Sequence, residues 1–268
     1  MAQTIDRPKA RELPDWLLAH GRHWITSIEV ADLLGIPREH VAQTLQSVRR
    51  QGKLFSPVRG AYVPIPPEYR AWGSPPASHF VDPLMRRLSD HYYVGLLSAA
   101  EVHGAAHQRP QITQVVADRQ VRSREYGRVR ILAVYSARAA DRETVTLNTP
   151  TGTMVVSSPE VTIFDLMSHP DMSGGLSNIA TIAGEFVAER AMAADLLRIA
   201  ANTYSDAVVR RTGWLLDTIA PGASLTTGLI ERVKPRSKPV PLYTRGPAAG
   251  EHDVRWNVVA NVEMDPDL

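Results

Sequence analysis

Two spacings of hydrophobic residues divide this chain. Up to about residue 51, apolar residues recur every three or four positions, as on amphipathic helices. From Ile112 to Ser157 they recur mostly every second position, as on half-buried strands. The first region predicts a helix from Leu13 to His20, with Trp16, Leu17 and Leu18 packing inward and Gly21 as its stop. A second helix follows, with Ile28, Val30, Ala31, Leu33 and Leu34 as its apolar side. Thr26 or Ser27 would cap it, and Gly35 would end it. Pro37 opens a third helix, roughly to Gln51, on which Val41, Leu45 and Val48 form one narrow stripe. After Gly52, Lys53–Phe55 and Gly60–Val63 read as a hairpin with Pro57–Gly60 at its tip. A short strand near Trp24 and Ile25 would be its third partner. Helix, glycine turn, helix and hairpin make the pattern of a winged helix-turn-helix.

Residues 64–80 carry Pro64, Pro66, Pro67, Pro75 and Pro76 with Gly73, which disfavours helix and strand interiors. The chain is therefore expected to divide into a winged helix-turn-helix domain over residues 1–70, a semi-rigid linker over 71–80 and a second domain over 81–268. In that domain, Asp82 and Pro83 start a helix through Leu88, and a further helix runs from about Gly95 to Gly104. Strands are expected at Ile112–Ala117 and Arg128–Tyr135, and a hairpin at Thr144–Asn148 with Gly152–Ser157. Pro159 opens a helix that Pro170 ends, and more helices are expected at Ser177–Ala191, Ala193–Ala201 and Ser205–Thr218. A last strand, Val254–Val262, carries Trp256. The fold class is α+β, the second domain combining a mostly antiparallel sheet with several helices.

Charge sharpens the reading of the third helix. Between Leu34 and Gly60, the basic residues Arg38, Arg49, Arg50, Lys53 and Arg59 stand against Glu39 alone, a net +4, while the whole chain carries only +2. Such a local excess is the electrostatic footprint of phosphate binding; a merely solvated helix face is the plainer alternative. Opposite the apolar stripe lie Glu39, Gln43, Gln46 and Arg50, flanked by His40 and Ser47, all able to hydrogen-bond. Gln43, Ser47, Arg50 and His40 are the candidates for reading base edges in a major groove. Arg38, Arg49, Lys53 and Arg59 are the candidates for phosphate contacts. A second basic stretch, Arg119 to Arg130, holds Arg122, Arg124, Arg128 and Arg130 among Asp118 and Glu125. It reads either as an extension of the DNA surface, as a surface for an acidic partner or as a solvated sheet face.

No catalytic constellation emerges. The chain has no cysteine, which excludes disulfides, thiol catalysis and cysteine-based zinc sites. No glycine-rich phosphate loop is present, and no lysine lies between Lys53 and Lys234 to serve a restriction-type nuclease core. His103 and His107 are four apart but flank Gly104, and His103 reads better as a hydrogen-bonded structural residue than as a metal ligand. Asp141, Glu143, Glu160 and Asp165 show no acid–base spacing and read as surface carboxylates. In residues 208–222, Val208, Trp214, Leu215 and Ile219 read as core, with Arg210 and Arg211 at a surface. No enzyme activity, cofactor or metal is expected. With no signal-like apolar run and no apolar stretch of roughly 18 residues, the cytoplasm is the expected compartment, with no membrane partner.

Five segments carry a resemblance. RGAYVP (residues 59–64) closes the hairpin, and YYVGLLSAAEVHG (92–104), SSPEVTIFDLM (157–167), RRTGWLLD (210–217) and WNVVANVEMD (256–265) follow in the second domain. In this order and spacing the chain resembles the AbiEi family of antitoxins, over most of residues 14–265. The resemblance implies a DNA-binding antitoxin that represses its own toxin–antitoxin operon through inverted repeats in double-stranded DNA. It also implies a C-terminal domain that counteracts a nucleotidyltransferase-like toxin, without a stable complex between the two. The alternatives are a ligand-responsive winged-helix transcription factor unrelated to a toxin and, further off, a nucleic-acid enzyme.

Overall fold

Three hydrophobic cores organise the secondary structure, one in the N-terminal elements and two on opposite faces of a sheet further along the chain. The computed structural model describes residues 7–105, 112–233 and 238–266, so His107 lies outside the described residues. The first core is made by α1 (Leu13–Ala19), β1 (Ile25–Thr26), α2 (Ser27–Leu34), a 3-10 turn (Arg38–His40), α3 (Val41–Thr44), α4 (Gln46–Arg50), β2 (Leu54–Phe55) and β3 (Ala61–Pro64). Thr26 caps α2: its hydroxyl accepts from the Glu29 N–H at 3.3 Å, and the Glu29 carboxylate accepts from the Thr26 N–H at 2.7 Å. Gly35, left-handed at φ 66°, ends α2, and Pro37 sits one residue ahead of the next turn. The predicted third helix is in fact a 3-10 turn and two short helical pieces that meet at Leu45. Leu13, Leu17, Ile25, Val30, Val41, Leu45, Val48 and Leu54 are buried together, as their spacing requires. Ile28 is the exception: it is 54 % exposed on the outer side of α2.

Two 3-10 turns, Pro67–Trp72 and Ala77–His79, lead into α5 (Val81–Leu88), β4 (Tyr92–Val94) and α6 (Leu96–Val102). Then come β5 (Ile112–Ala117), β6 (Arg124–Tyr126), β7 (Val129–Tyr135), β8 (Thr144–Thr149), β9 (Gly152–Ser157), α7 (Pro159–Ser168), α8 (Gly175–Ala188), α9 (Ala194–Ala201) and α10 (Asp206–Ile219). The chain closes with α11 (Thr227–Ile230), β10 (Val240–Pro241), β11 (Glu251–Asp253) and β12 (Val258–Ala260). Six strands form one sheet in the order β6-β7-β5-β4-β9-β8. Successive residues face opposite sides of it. Tyr92, Val94, Val115 and Ile131 join a core with α5 and with Trp24, Phe55 and Val58 of the N-terminal elements, while Tyr93, Val116 and Val134 join the core under the helices.

The sheet is mixed rather than mostly antiparallel: β5 with β7 and β4 with β9 are parallel. After β5 the chain crosses to the outer edge, lays down β6 and reverses, so β7 enters between β6 and β5 and runs with β5. Two strands of this sheet escaped the spacing argument. β4 is buried on both faces and shows no alternation, and β6 is only three residues long. The expected last strand is a hairpin, with β11 and β12 antiparallel and Trp256 in the turn between them. The turn carries Asn257 at φ 52°, a conformation asparagine tolerates better than most residues.

Residues 71–80 lie against the six-stranded sheet: Ser74, Ala77 and Phe80 are buried, and the Ser74 hydroxyl donates to the Tyr126 carbonyl at 2.7 Å. His23 and His79 meet at this seam, and burial lowers both imidazoles; the charge of His23 lowers His79 further, against Glu68. Burial shifts His169 in the same direction. In the unfolded chain these groups take up protons near the ordinary value of 6.5, before the folded protein does. The unfolded chain therefore binds more protons just below that pH, and stability falls as pH drops through it. Thermal melts at pH 7.5, 6.5 and 5.5 are expected to show a falling midpoint, with a smaller fall in His79→Gln; equal slopes in the two proteins would exclude His79 as a contributor.

Candidate nucleic-acid interface

Burial of Val41, Leu45 and Val48 turns the rest of α3 and α4 outward. His40, Gln43, Ser47 and Arg50 are all exposed, and at about 100° per residue they share one face. Ser47 accepts a hydrogen bond from the Gln51 amide at 3.3 Å. A neighbouring groove of about 700 Å³ runs between these helices and the β2–β3 hairpin. It is lined by Arg38, Glu39 and Arg49 on the helix side and Ser56, Arg59 and Gly60 on the hairpin side. Arg87, from α5, closes its end. Among the described residues, Arg38, Arg49, Arg50 and Arg59 make no ion pair.

The structure does not bring every candidate here. Lys53 points at α1, its ammonium 3.6 Å from Asp15, which also receives Arg70 at 3.2 Å. The second basic stretch is mostly engaged. Arg130 pairs with Glu125 at 2.8 Å, and Arg124 turns toward the Pro57 carbonyl at 3.5 Å. Arg122 and Arg128 remain exposed. The Tyr126 hydroxyl donates to the same Pro57 carbonyl at 2.8 Å, and its ring sits among Phe55 and Phe80. The hairpin tip is thus held by the edge of the six-stranded sheet.

A second polar constellation is wholly interior. α7 is buried from Glu160 to Met167, so the expectation that Glu160 and Asp165 lie at the surface is wrong; Asp141 and Glu143 are exposed. α6, α8, α9 and α10 enclose α7 and leave it no solvent face. Glu160 accepts from the Ala193 N–H at 2.9 Å, just ahead of α9. Asp165 accepts from Arg142 at 2.8 Å, Tyr204 at 2.7 Å and Tyr93 at 2.9 Å. Arg142 also lies over the Tyr204 ring, 4.2 Å from its centre. Burial pushes the Asp165 carboxyl up, against the pull of Arg142. Burial would lower Arg142, but Asp165 and the tyrosine oxygens hold its proton more tightly. Of the buried side-chain atoms in this network only the Arg142 Nε lacks a partner, so the arrangement reads as structural. Among the described residues, no three histidine or carboxylate side chains are placed to hold a metal ion.

Comparison with known proteins addresses this half of the chain. A family model described as the AbiEi antitoxin C-terminal domain matches residues 93–218. Over those residues the chain is similar to the AbiEi antitoxins. The crystal structure of the RV2827C protein from Mycobacterium tuberculosis is similar over 95 % of this chain and 92 % of that one, with a TM-score of 0.69 and 18 % identity, a likeness of fold. No curated protein sequence matches the chain.

Tyr93, Arg142, Asp165 and Tyr204 all lie inside the AbiEi span. The segments that carried the resemblance interlock in pairs. Tyr93 of the second meets Asp165 of the third, and His103 bonds the Ser157 carbonyl at 2.7 Å, the structural role its sequence setting suggested. Arg210 and Arg211 do not anchor at a surface: they donate to the carbonyls of Lys238 and Pro241, at 2.8 and 2.7 Å. Trp256 packs over Gly213 and donates to Asp217 at 2.8 Å, so the C-terminal hairpin locks onto α10. Among the described residues, no helix is long and apolar enough to cross a membrane.

Proposed function

We propose that this protein is a DNA-binding antitoxin that represses its own toxin–antitoxin operon and counteracts a nucleotidyltransferase-like toxin. On this reading residues 1–70 form a winged helix-turn-helix domain, residues 71–80 join it to the rest, and residues 81–268 form the antitoxin domain. The observation that carries the DNA reading is the groove of unpaired arginines beside an exposed polar helix face. Arg38, Arg49 and Arg59 neutralise phosphates there, and His40, Gln43, Ser47 and Arg50 read bases. Lys53, tied to Asp15, contributes less than its charge suggests.

The test is a salt series of binding to the duplex upstream of the protein's own coding region, against a scrambled duplex. A preference of about a thousandfold or more at physiological salt is expected. Arg50→Ala should lose about 1–3 kcal/mol on the upstream duplex and little on the scrambled one. Equal, steeply salt-dependent binding to both duplexes would remove operator recognition. Co-expression with the neighbouring toxin gene tests the other half: growth should be rescued by the wild type and by Arg50→Ala alike, since the substitution lies outside the AbiEi domain.

A further inference from the structure

The groove is not a property of the N-terminal elements alone. Four guanidinium groups line it, from Arg38, Arg49, Arg59 and Arg87, against the carboxylate of Glu39. The first three come from the predicted DNA-binding module. Arg87 comes from α5, beyond the proline-rich stretch, and its sequence position gives no hint that it belongs here. Its guanidinium donates to the Arg59 carbonyl at 3.3 Å and lies beside Gly60, so α5 abuts the tip of the hairpin. The adjacent Arg86 supplies a built-in contrast. Arg86 is paired with Asp82 at 2.9 Å, one turn back on the same helix, whereas among the described residues no carboxylate pairs with Arg87. Of two neighbouring arginines, one is neutralised within its helix and the other is left charged, facing the groove.

We infer that Arg87 is a phosphate-contacting residue of the nucleic-acid site, so that the site is composite, with its fourth cation supplied from the other side of the proline-rich stretch. This rests on the proposed DNA-binding role. The ligand chemistry is the phosphodiester backbone of a duplex: guanidinium groups along a polar groove match successive phosphate oxygens by charge-assisted hydrogen bonds. A backbone contact carries no base preference, so Arg87 adds affinity and register, not sequence choice.

The experiment uses the full chain and measures binding to the upstream and scrambled duplexes across a salt series, for wild type, Arg87→Gln and Arg86→Gln. Each phosphate neutralised contributes roughly 0.9 to the slope of log K against log salt. Arg87→Gln is expected to weaken both duplexes by the same factor and to make the slope shallower by about 1. Arg86→Gln is expected to leave the slope unchanged. Loss of affinity in Arg87→Gln at an unchanged slope would overturn the inference, because a residue that only braces the hairpin releases no counterion. Unchanged binding in Arg87→Gln with normal binding by the wild type would likewise overturn it and leave the DNA reading standing. Wild-type protein that binds neither duplex would overturn both.

Discussion

Replacing Asp165 by asparagine is expected to destabilise the protein by about 3–5 kcal/mol, the cost of leaving one partner of a buried ion pair charged and unanswered. Asparagine keeps the size but only one of the two acceptor oxygens that serve Tyr204 and Tyr93, and it removes the charge that Arg142 faces at 2.8 Å, at a position 1 % exposed. Domains of this kind carry only about 5–15 kcal/mol of net stability, so the variant should sit close to unfolding. Urea denaturation followed by far-UV circular dichroism measures it. The double variant Asp165→Asn with Arg142→Met should be more stable than Asp165→Asn alone, because methionine fills the space without a charge to bury. An Asp165→Asn protein within about 1 kcal/mol of wild type would mean that the pair is not an interior ion pair in solution.

Gly127→Ala is the second large effect. Gly127 turns the chain between β6 and β7 at φ 57°, where a side chain costs roughly 1–2 kcal/mol. A Cβ there would also stand 1.9 Å from the Trp72 carbonyl oxygen, which accepts from the Arg128 N–H at 2.9 Å. The backbone must separate, breaking that bond and lifting residues 67–73 off the sheet edge. A combined loss of about 3 kcal/mol or more is expected, larger than a strained glycine alone would give. Trypsin cleavage after the half-buried Arg70 should accelerate well before global unfolding. On the proposed DNA-binding role, affinity for the upstream duplex should fall as well, because Tyr126, next to Gly127, holds the hairpin tip through Pro57. Unchanged melting and unchanged cleavage would show that the seam between the two parts carries little of the stability.

Much of the architecture could be read from residue order. Val41, Leu45 and Val48 lie inside because a helix whose apolar residues are three and four apart has one face to bury. The Thr26–Glu29 cap, the Gly35 turn and the Thr144–Ser157 hairpin are local devices, set by residues within a few positions of each other. Two misreadings share a cause. Glu160 and Asp165 look like surface carboxylates because nothing nearby in sequence answers their charge; their partners are Ala193, Arg142, Tyr93 and Tyr204, tens of residues away. β4 hid because burial on both faces erases the alternation by which a strand is recognised. The presence of Tyr93 and Asp165 in two of the resembling segments was the one available signal that those segments meet.

For this protein, then, the order of residues by itself determined the helices and hairpins, the concentration of positive charge between Leu34 and Gly60, and the AbiEi resemblance that the family comparison bears out. Those properties depend on neighbours along the chain. Which charges remain available to a ligand was decided only in three dimensions. Lys53 and Arg124 carry the same charge as Arg38 and Arg49, but folding places Asp15 beside one and the Pro57 carbonyl beside the other. Arg87, far from the hairpin in sequence, is brought to its tip. A charge acts through what lies within a few ångströms of it, and in a chain of 268 residues those neighbours are chosen by the packing of sheet, helices and hairpin.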